Sequence, residues 1–156
     1  MKKILFVCTG NICRSPTADA VLRHAIKTQN LTHLSCDSAG MQAYHIGEAP
    51  DKRTIATARK RGIMMDDLRA RQVHTTDFEI FDVILGMDRS HVRQLREIAP
   101  KKHKAEIALF LEYAGNSNAS DVPDPYYGQQ KDFDHVLNLI EAGIDAMLNR
   151  LHPSTT

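Results

Sequence analysis

Neither sign of charge is in excess in this chain: twenty Lys and Arg against nineteen Asp and Glu leave a formal charge of +1 over 156 residues. Such a balance gives no electrostatic case for a nucleic-acid or membrane-surface partner. No apolar run approaches the length of a membrane span. Met1-Lys2-Lys3 imitates the charged start of a secretory signal, but the apolar residues behind it stop at Thr9-Gly10-Asn11, short of a signal core. Three cysteines without such a signal point to a reducing, cytoplasmic setting. The eight histidines show no zinc-type pairing with Cys or carboxylates, so neither a metal nor another cofactor is expected. There is no repeat, linker or low-complexity stretch. That leaves one domain over residues 1–156, long enough to bury a real core.

What the chain does have is concentrated near its start. Ile4-Leu5-Phe6-Val7 reads as a buried strand. From Pro16 onward, Ala18, Val21, Leu22, Ala25 and Ile26 repeat at helical spacing, with Ser15 placed as a helix cap and Pro16 as the first helical residue. Between them Cys8-Thr9-Gly10-Asn11-Ile12-Cys13-Arg14-Ser15 forms a loop whose backbone N–H groups and following helix N-terminus converge on one point. Such a point attracts an anion, above all a phosphate. Arg14 adds a planar, permanently charged fork for two oxyanion oxygens. The same positive field favours a thiolate over a thiol at Cys8. Gly10 and Asn11 suit a close or left-handed turn, and the Ser15 hydroxyl can also serve the thiolate. A cysteine at a strand end is also, more blandly, a small buried hydrophobe.

Further along, strands are expected near Leu34 to Ser38, Phe81 to Gly86 and Glu106 to Leu111. Helices are expected at Asp51 to Arg61 and Ser90 to Ile98. Phe133, Val136, Leu137, Ile140, Ile144, Met147, Leu148 and Leu151 mark a final amphipathic helix. The alternation implies an α/β fold: a doubly wound, four-stranded parallel sheet with helices on both faces and a phosphate-binding loop after the first strand. Ligands then sit beyond the carboxyl ends of the strands, where Cys8 falls. The basic residues Lys52, Arg53, Arg59, Lys60, Arg61, Arg69 and Arg71 fit a solvated helix face or a rim that steers anions. Lys101-Lys102-His103-Lys104 suits an exposed loop, Cys36 a buried strand position and Pro153-Ser154-Thr155-Thr156 a frayed tail. Pro123-Asp124-Pro125 is a stiff turn on its own terms, or a rigid support for a carboxyl above the cleft.

In these residues the chain resembles the low-molecular-weight protein tyrosine phosphatases over nearly its whole length. The loop Cys8 to Pro16 carries the resemblance. So do Asp37-Ser38-Ala39-Gly40, Tyr44-His45-Ile46-Gly47 with Pro50-Asp51, Ala70-Arg71-Gln72, Gly86-Met87-Asp88 and Val122-Pro123-Asp124-Pro125-Tyr126-Tyr127-Gly128. The resemblance implies hydrolysis of phosphotyrosine in proteins, and of small aryl phosphates, through a cysteinyl-phosphate. Cys8 would be the nucleophile, Arg14 the oxyanion fork and Asp124 the general acid that protonates the leaving phenol. Asp121 is the nearby competitor for that last role.

Thr9, Gly10, Asn11, Ile12, Cys13 and Ser15 would hold the phosphoryl group. Tyr44, Tyr126 and Tyr127, with Ile12, would wall the aromatic ring. Asn11 and Ser38 would support the loop, and Cys13 would be a redox partner forming a reversible disulfide with Cys8. The implied partners are tyrosine-phosphorylated proteins, with inorganic phosphate and other oxyanions as competing ligands. Leu68 stands where many members carry a supporting His.

Rival readings share parts of this pattern. A phosphoarginine phosphatase of the same fold carries Thr where Ile12 stands here. A thiol-linked arsenate reductase needs two further cysteines downstream, and none follows Cys36. A sugar phosphotransfer carrier lacks both the arginine match and the acid loop.

Overall fold

A computed structural model describes residues 1–115 and 121–151. Its elements alternate as expected: β1 (Lys2–Cys8), α1 (Arg14–Thr28), β2 (Leu34–Gly40), α2 (Lys52–Arg59), α3 (Asp77–Ile80), β3 (Val83–Gly86), α4 (Arg89–Ile98), β4 (Glu106–Leu109), α5 (Phe110–Tyr113) and α6 (Gln130–Leu151). The four strands form one sheet in the order β2-β1-β3-β4, every pair parallel. After β2 the chain crosses β1 to lay down β3, so the strand order reverses between β1 and β3. In open α/β sheets this switch point opens the crevice that binds ligands. Cys8 pairs with Gly40, and Val7 pairs with Gly86, which brings three strand exits to one edge.

Alternation along β1 builds the two cores. Ile4, Phe6 and Cys8 face α1, α5 and α6, together with Leu22, Phe110, Ile140 and Ile144. Leu5 and Val7 face the other way, onto Phe78, Ile84 and Leu95. The ring of Phe6 meets Phe110 edge-on at 5.8 Å. The α6 stripe is buried from Phe133 to Leu148, and Leu151 is half-buried at its end.

The structure corrects several local expectations. Helix α1 begins at Arg14 rather than Pro16, with Cys13 as its cap residue and no side-chain cap. Ser15 therefore lies in the first turn and does not cap the helix. Pro16 is tolerated there because first-turn N–H groups lack intrahelical acceptors. The expected strand Glu106 to Leu111 ends at Leu109, and Phe110 and Leu111 turn into α5. A short apolar run does not distinguish a buried strand from a buried helical turn. Asp51 caps α2 through a bond from the Arg53 N–H. Cys36 is half-buried, its thiol 3.3 Å from Asp19 Oδ1. The Lys101 to Lys104 run is exposed, and residues 153–156 lie outside the described residues.

Candidate active site

The loop from Cys8 to Ser15 is fastened by hydrogen bonds from its surroundings. The Met41 and Gln42 N–H groups donate to the carbonyls of Cys8 and Thr9, at 2.8 and 2.9 Å. The Asp51 N–H donates to Ile12 O at 2.9 Å. Asn11 takes the left-handed conformation, with φ of 59°, and its side chain organises the interior of the loop. Its Nδ2 donates to Ser15 Oγ at 2.8 Å and to Ser38 Oγ at 2.9 Å, while its Oδ1 accepts the Arg71 N–H at 3.0 Å. Arg71 is itself fixed by ion pairs to Asp37 and Asp77. Leu68 packs against the core, and the Arg71 amide closes the network.

Two glycines matter here for different reasons. A Cβ on Gly40 would lie 2.8 Å from Thr9 O and 3.1 Å from Asn11 N, so only glycine lets the β2 exit press on the loop. Gly10, expected to suit a close or left-handed turn, is not among the positive-φ residues. Its missing Cβ makes room for His45, whose Cδ2 would stand 2.9 Å away.

Cys8 is buried, and its sulfur lies 2.9 Å from Ser15 Oγ. Arg14 is buried as well, and its two terminal nitrogens are used differently. Nη1 donates to Asp88 Oδ2 at 2.7 Å and to Val122 O at 3.0 Å. Nη2 turns to the cleft, 3.5 Å from Thr9 Oγ1 and 3.7 Å from Asp124 Oδ2. Burial opposes ionisation of Asp88, but hydrogen bonds from Ser90 and Arg14 win and hold its carboxyl at about 2. It is therefore an anion that anchors the guanidinium.

The segment from Val122 to Tyr127 approaches from the other side. The Val122 N–H donates to Met87 O at 2.9 Å, which pins this segment to the β3 exit. Asp124 is half-exposed, and its Oδ1 accepts the Tyr126 N–H at 3.1 Å in a local turn. Arg53 Nη2 reaches from α2 to donate to Tyr126 O at 2.9 Å while pairing with Asp51. Asp121 points elsewhere: its Oδ1 accepts the Arg89 N–H at 2.9 Å, at the start of α4.

Between loop and acid segment lies a cleft of ≈ 320 Å³. Cys8, Arg14 and Asp124 line it, with Thr9, Gly10, Ile12 and Cys13 at the base. Tyr44, His45, Tyr126 and Tyr127 stand around the mouth. Tyr44 is 75% and Tyr127 94% exposed, and the Tyr126 and Tyr127 rings meet edge-on at 4.9 Å. Asn11, Ser15 and Ser38 stand behind the loop and do not line the cleft. Burial pushes the Cys13 thiol up to about 12, against a lowering by the Thr54 hydroxyl and with help from Asp51 and Cys8. Among the described residues no group of three or more His, Cys, Asp or Glu could hold a metal ion. No helix among them is long and apolar enough to cross a membrane.

Sequence reasoning did not assign roles to Asp88, His91, Arg53 or the Arg71 amide. The signal for Asp88 and His91 was local: Asp-x-x-His before an amphipathic helix is a variant capping box, which the structure shows closed in both directions.

Fold and cleft together define a class of doubly wound α/β proteins that gather a thiol, a guanidinium and a carboxyl at the end of the first strand. Comparison with known proteins makes the class definite. A model of the low molecular weight phosphotyrosine protein phosphatases matches residues 3–155. The chain belongs to that family of hydrolases. It is 40% identical over 149 residues to the low molecular weight protein-tyrosine-phosphatase YfkJ of Bacillus subtilis, covering 95% of this chain and 94% of that one. A protein tyrosine phosphatase from Entamoeba histolytica has the same fold, with a TM-score of 0.89, 37% identity and 97% of each chain covered. A drosophila arginine phosphatase also superposes, with a TM-score of 0.90 at 29% identity and full coverage of both chains.

Proposed function

We propose that this cleft hydrolyses phosphotyrosine in proteins, and small aryl phosphates, through a cysteinyl-phosphate on Cys8. The observation that carries the reading is the meeting of Cys8, Arg14 and Asp124 in one cleft, with Arg14 Nη2 3.7 Å from the Asp124 carboxyl. The sulfur of Cys8 attacks phosphorus as the tyrosyl oxygen departs. The loop amides and Arg14 Nη2 hold the phosphoryl oxygens, and the Ser15 hydroxyl, 2.9 Å from the sulfur, steadies the thiolate. Asp124 gives its proton to the leaving phenol, whose anion would otherwise be a base with a pKa near ~10. In the second step the Asp124 carboxylate takes a proton from water, the water oxygen attacks phosphorus, and the sulfur leaves as thiolate. Inorganic phosphate is released and competes with substrate.

The tyrosines at the mouth offer apolar walls to an aryl ester. Ile12, aliphatic and half-buried beside them, offers no polar atom to a phosphoguanidine. Asp121, bonded to the start of α4, is not the acid. The setting we infer is cytoplasmic, and Cys13 is the partner with which an oxidised Cys8 forms a disulfide. The test compares purified protein on phosphotyrosine, phosphoserine and phosphoarginine peptides. The reading requires a strong preference for phosphotyrosine, and a preference for phosphoarginine overturns it.

A further inference from the structure

His91 is 1% exposed, one turn into α4, and each of its ring nitrogens has a different partner. The Asp88 N–H donates to Nδ1 at 3.1 Å, which places the proton of the neutral ring on Nε2. Nε2 lies 2.9 Å from Thr9 Oγ1 and so donates to it. The first turn of α4 lies close on the β3 exit, because a Cβ on Gly86 would stand 3.0 Å from the His91 Cβ and from the Val92 N. Burial first, then the Arg14 charge, push His91 down to about 4 against the pull of Asp88, Asp124 and Asp121. Near neutral pH the ring is therefore uncharged, in agreement with its bonds.

Thr9 Oγ1 has a second donor in Arg14 Nη2, at 3.5 Å. A hydroxyl carries two acceptor positions and one proton. With His91 and Arg14 on the acceptor side, the proton of Thr9 is directed away from both. Among the described residues it meets no acceptor, and Thr9 is exposed in the wall of the cleft with Cys8 and Arg14. The Nη2 atom that touches Thr9 is also the one nearest Asp124.

We infer that Thr9 acts on the oxyanion through its side chain as well as its place in the loop, its hydroxyl proton aimed at the bound phosphoryl group, and that His91 is the positioning residue that aims it. The inference rests on the phosphatase reading for the identity of the oxyanion. Its physical basis is preorganisation: a donor already turned toward the anion need not be reoriented when the anion arrives. Without His91 only the longer contact from Arg14 Nη2 would constrain the hydroxyl, which could then turn between solvent and ligand.

The test is calorimetric binding of inorganic phosphate to the wild type, Thr9→Val, Thr9→Ser, His91→Asn and the double variant Thr9→Val/His91→Asn. Asn retains a short acceptor for the Asp88 N–H but does not span to Thr9. Thr9→Val and His91→Asn should each weaken binding about tenfold, the low end for a hydrogen bond to a charged group. The double variant should be within about twofold of either single one, since all three remove the same interaction. Thr9→Ser should bind like the wild type. Additive losses, or a Thr9→Val protein that binds as tightly as wild type, overturn the inference. Should His91→Asn fail to show a cooperative melt, Thr9→Val against Thr9→Ser decides, and equal affinity overturns it. Binding is read without turnover. A protein that shows this coupling yet hydrolyses no phosphomonoester refutes the phosphatase reading and upholds the Thr9–His91 arrangement.

Discussion

Arg14 and Asp88 meet at 2.7 Å across the point where the sheet reverses its strand order, one at the start of α1 and the other at the start of α4. The contact fixes a long side chain whose other nitrogen is then presented to the cleft. Asp88 also caps α4, accepting the N–H groups of Ser90 and His91. One carboxylate thus orients the Arg14 guanidinium and starts the neighbouring helix.

Asp88→Asn separates these two jobs, because Asn is a good helix cap but carries no charge. We expect the α4 cap to persist while the melting temperature falls, because the buried Arg14 loses its counter-charge. The inhibition constant for inorganic phosphate should rise on the order of 10- to 100-fold, the scale of a lost charge-assisted hydrogen bond. Phosphate inhibition of aryl phosphate hydrolysis measures it. An unchanged constant would show that Arg14 is held well enough by Val122 O alone.

Arg53 ties the acid segment to α2 through Tyr126 O and stacks over the Phe133 ring at 4.5 Å. Arg53→Ala should loosen the placement of Asp124 while leaving the phosphate loop intact. The expected result is a fall in kcat of about tenfold, within the range for impaired acid catalysis, with phosphate inhibition unaltered. Steady-state kinetics with phosphate as inhibitor separate the two. An equal loss in phosphate affinity would mean that Arg53 acts on the loop instead.

Mild peroxide should inactivate the enzyme reversibly. The Cys8 thiolate is oxidised to a sulfenic acid, and the Cys13 sulfur then displaces water to form the disulfide. Burial holds Cys13 as a thiol, pushed up to about 12, so the second step should accelerate as the pH rises. Intact mass should show the loss of two hydrogens, restored by dithiothreitol, and Cys13→Ser should be inactivated irreversibly. No mass loss in the oxidised wild type would remove Cys13 from this role.

Stability should fall on acidification in two stages. The unfolded His91 takes up a proton near the ordinary imidazole value of 6.5, whereas the folded ring, lowered to about 4, does not. Between those values the unfolded state binds more protons, so stability drops as pH falls from 6.5 to 4, by up to about 3 kcal/mol. The stabilising contribution of Asp88, lowered from 3.8 to about 2, is complete above 3.8 and is lost as pH falls toward 2. Urea unfolding at pH 7 and pH 4.5 should show a steeper decline for wild type than for His91→Asn. Equal declines would contradict the account of His91.

How much of this was legible beforehand follows from sequence separation. The first strand, the Cys8 to Ser15 turn into α1 and the α6 stripe are local patterns, and the structure shows these elements with shifts of a few residues. The partners that make the loop work are distant. Arg14 and Asp88 are 74 residues apart, Asn11 and the Arg71 amide 60, and Arg53 and Tyr126 73. No periodicity links residues so far apart. Only the fold brings them together. Phe110 and Leu111 illustrate the opposite failure, where a local apolar run was compatible with two structures and the chain adopts the helical one, its side chains close against Gly143 of α6. Asp121 and Asp124 could not be ranked from composition alone. The fold separates them: Asp121 accepts the Arg89 N–H outside the cleft, and Asp124 lies beside Arg14 within it.

The central claim is that phosphorus passes through the sulfur of Cys8, with Asp124 serving both steps. Rapid acid quenching of the enzyme during turnover of an aryl phosphate, followed by peptide mass analysis, tests it most directly. The account predicts a phosphoryl group on the Cys8 peptide in the wild type. Asp124→Asn should be slower by about 10²–10⁴-fold and still acquire the label from a substrate with an acidic leaving group. Cys8→Ser should be inactive while still binding inorganic phosphate. A Cys8 peptide without phosphorus during undiminished turnover, or a Cys8→Ser protein that hydrolyses aryl phosphates at near wild-type rate, would contradict it.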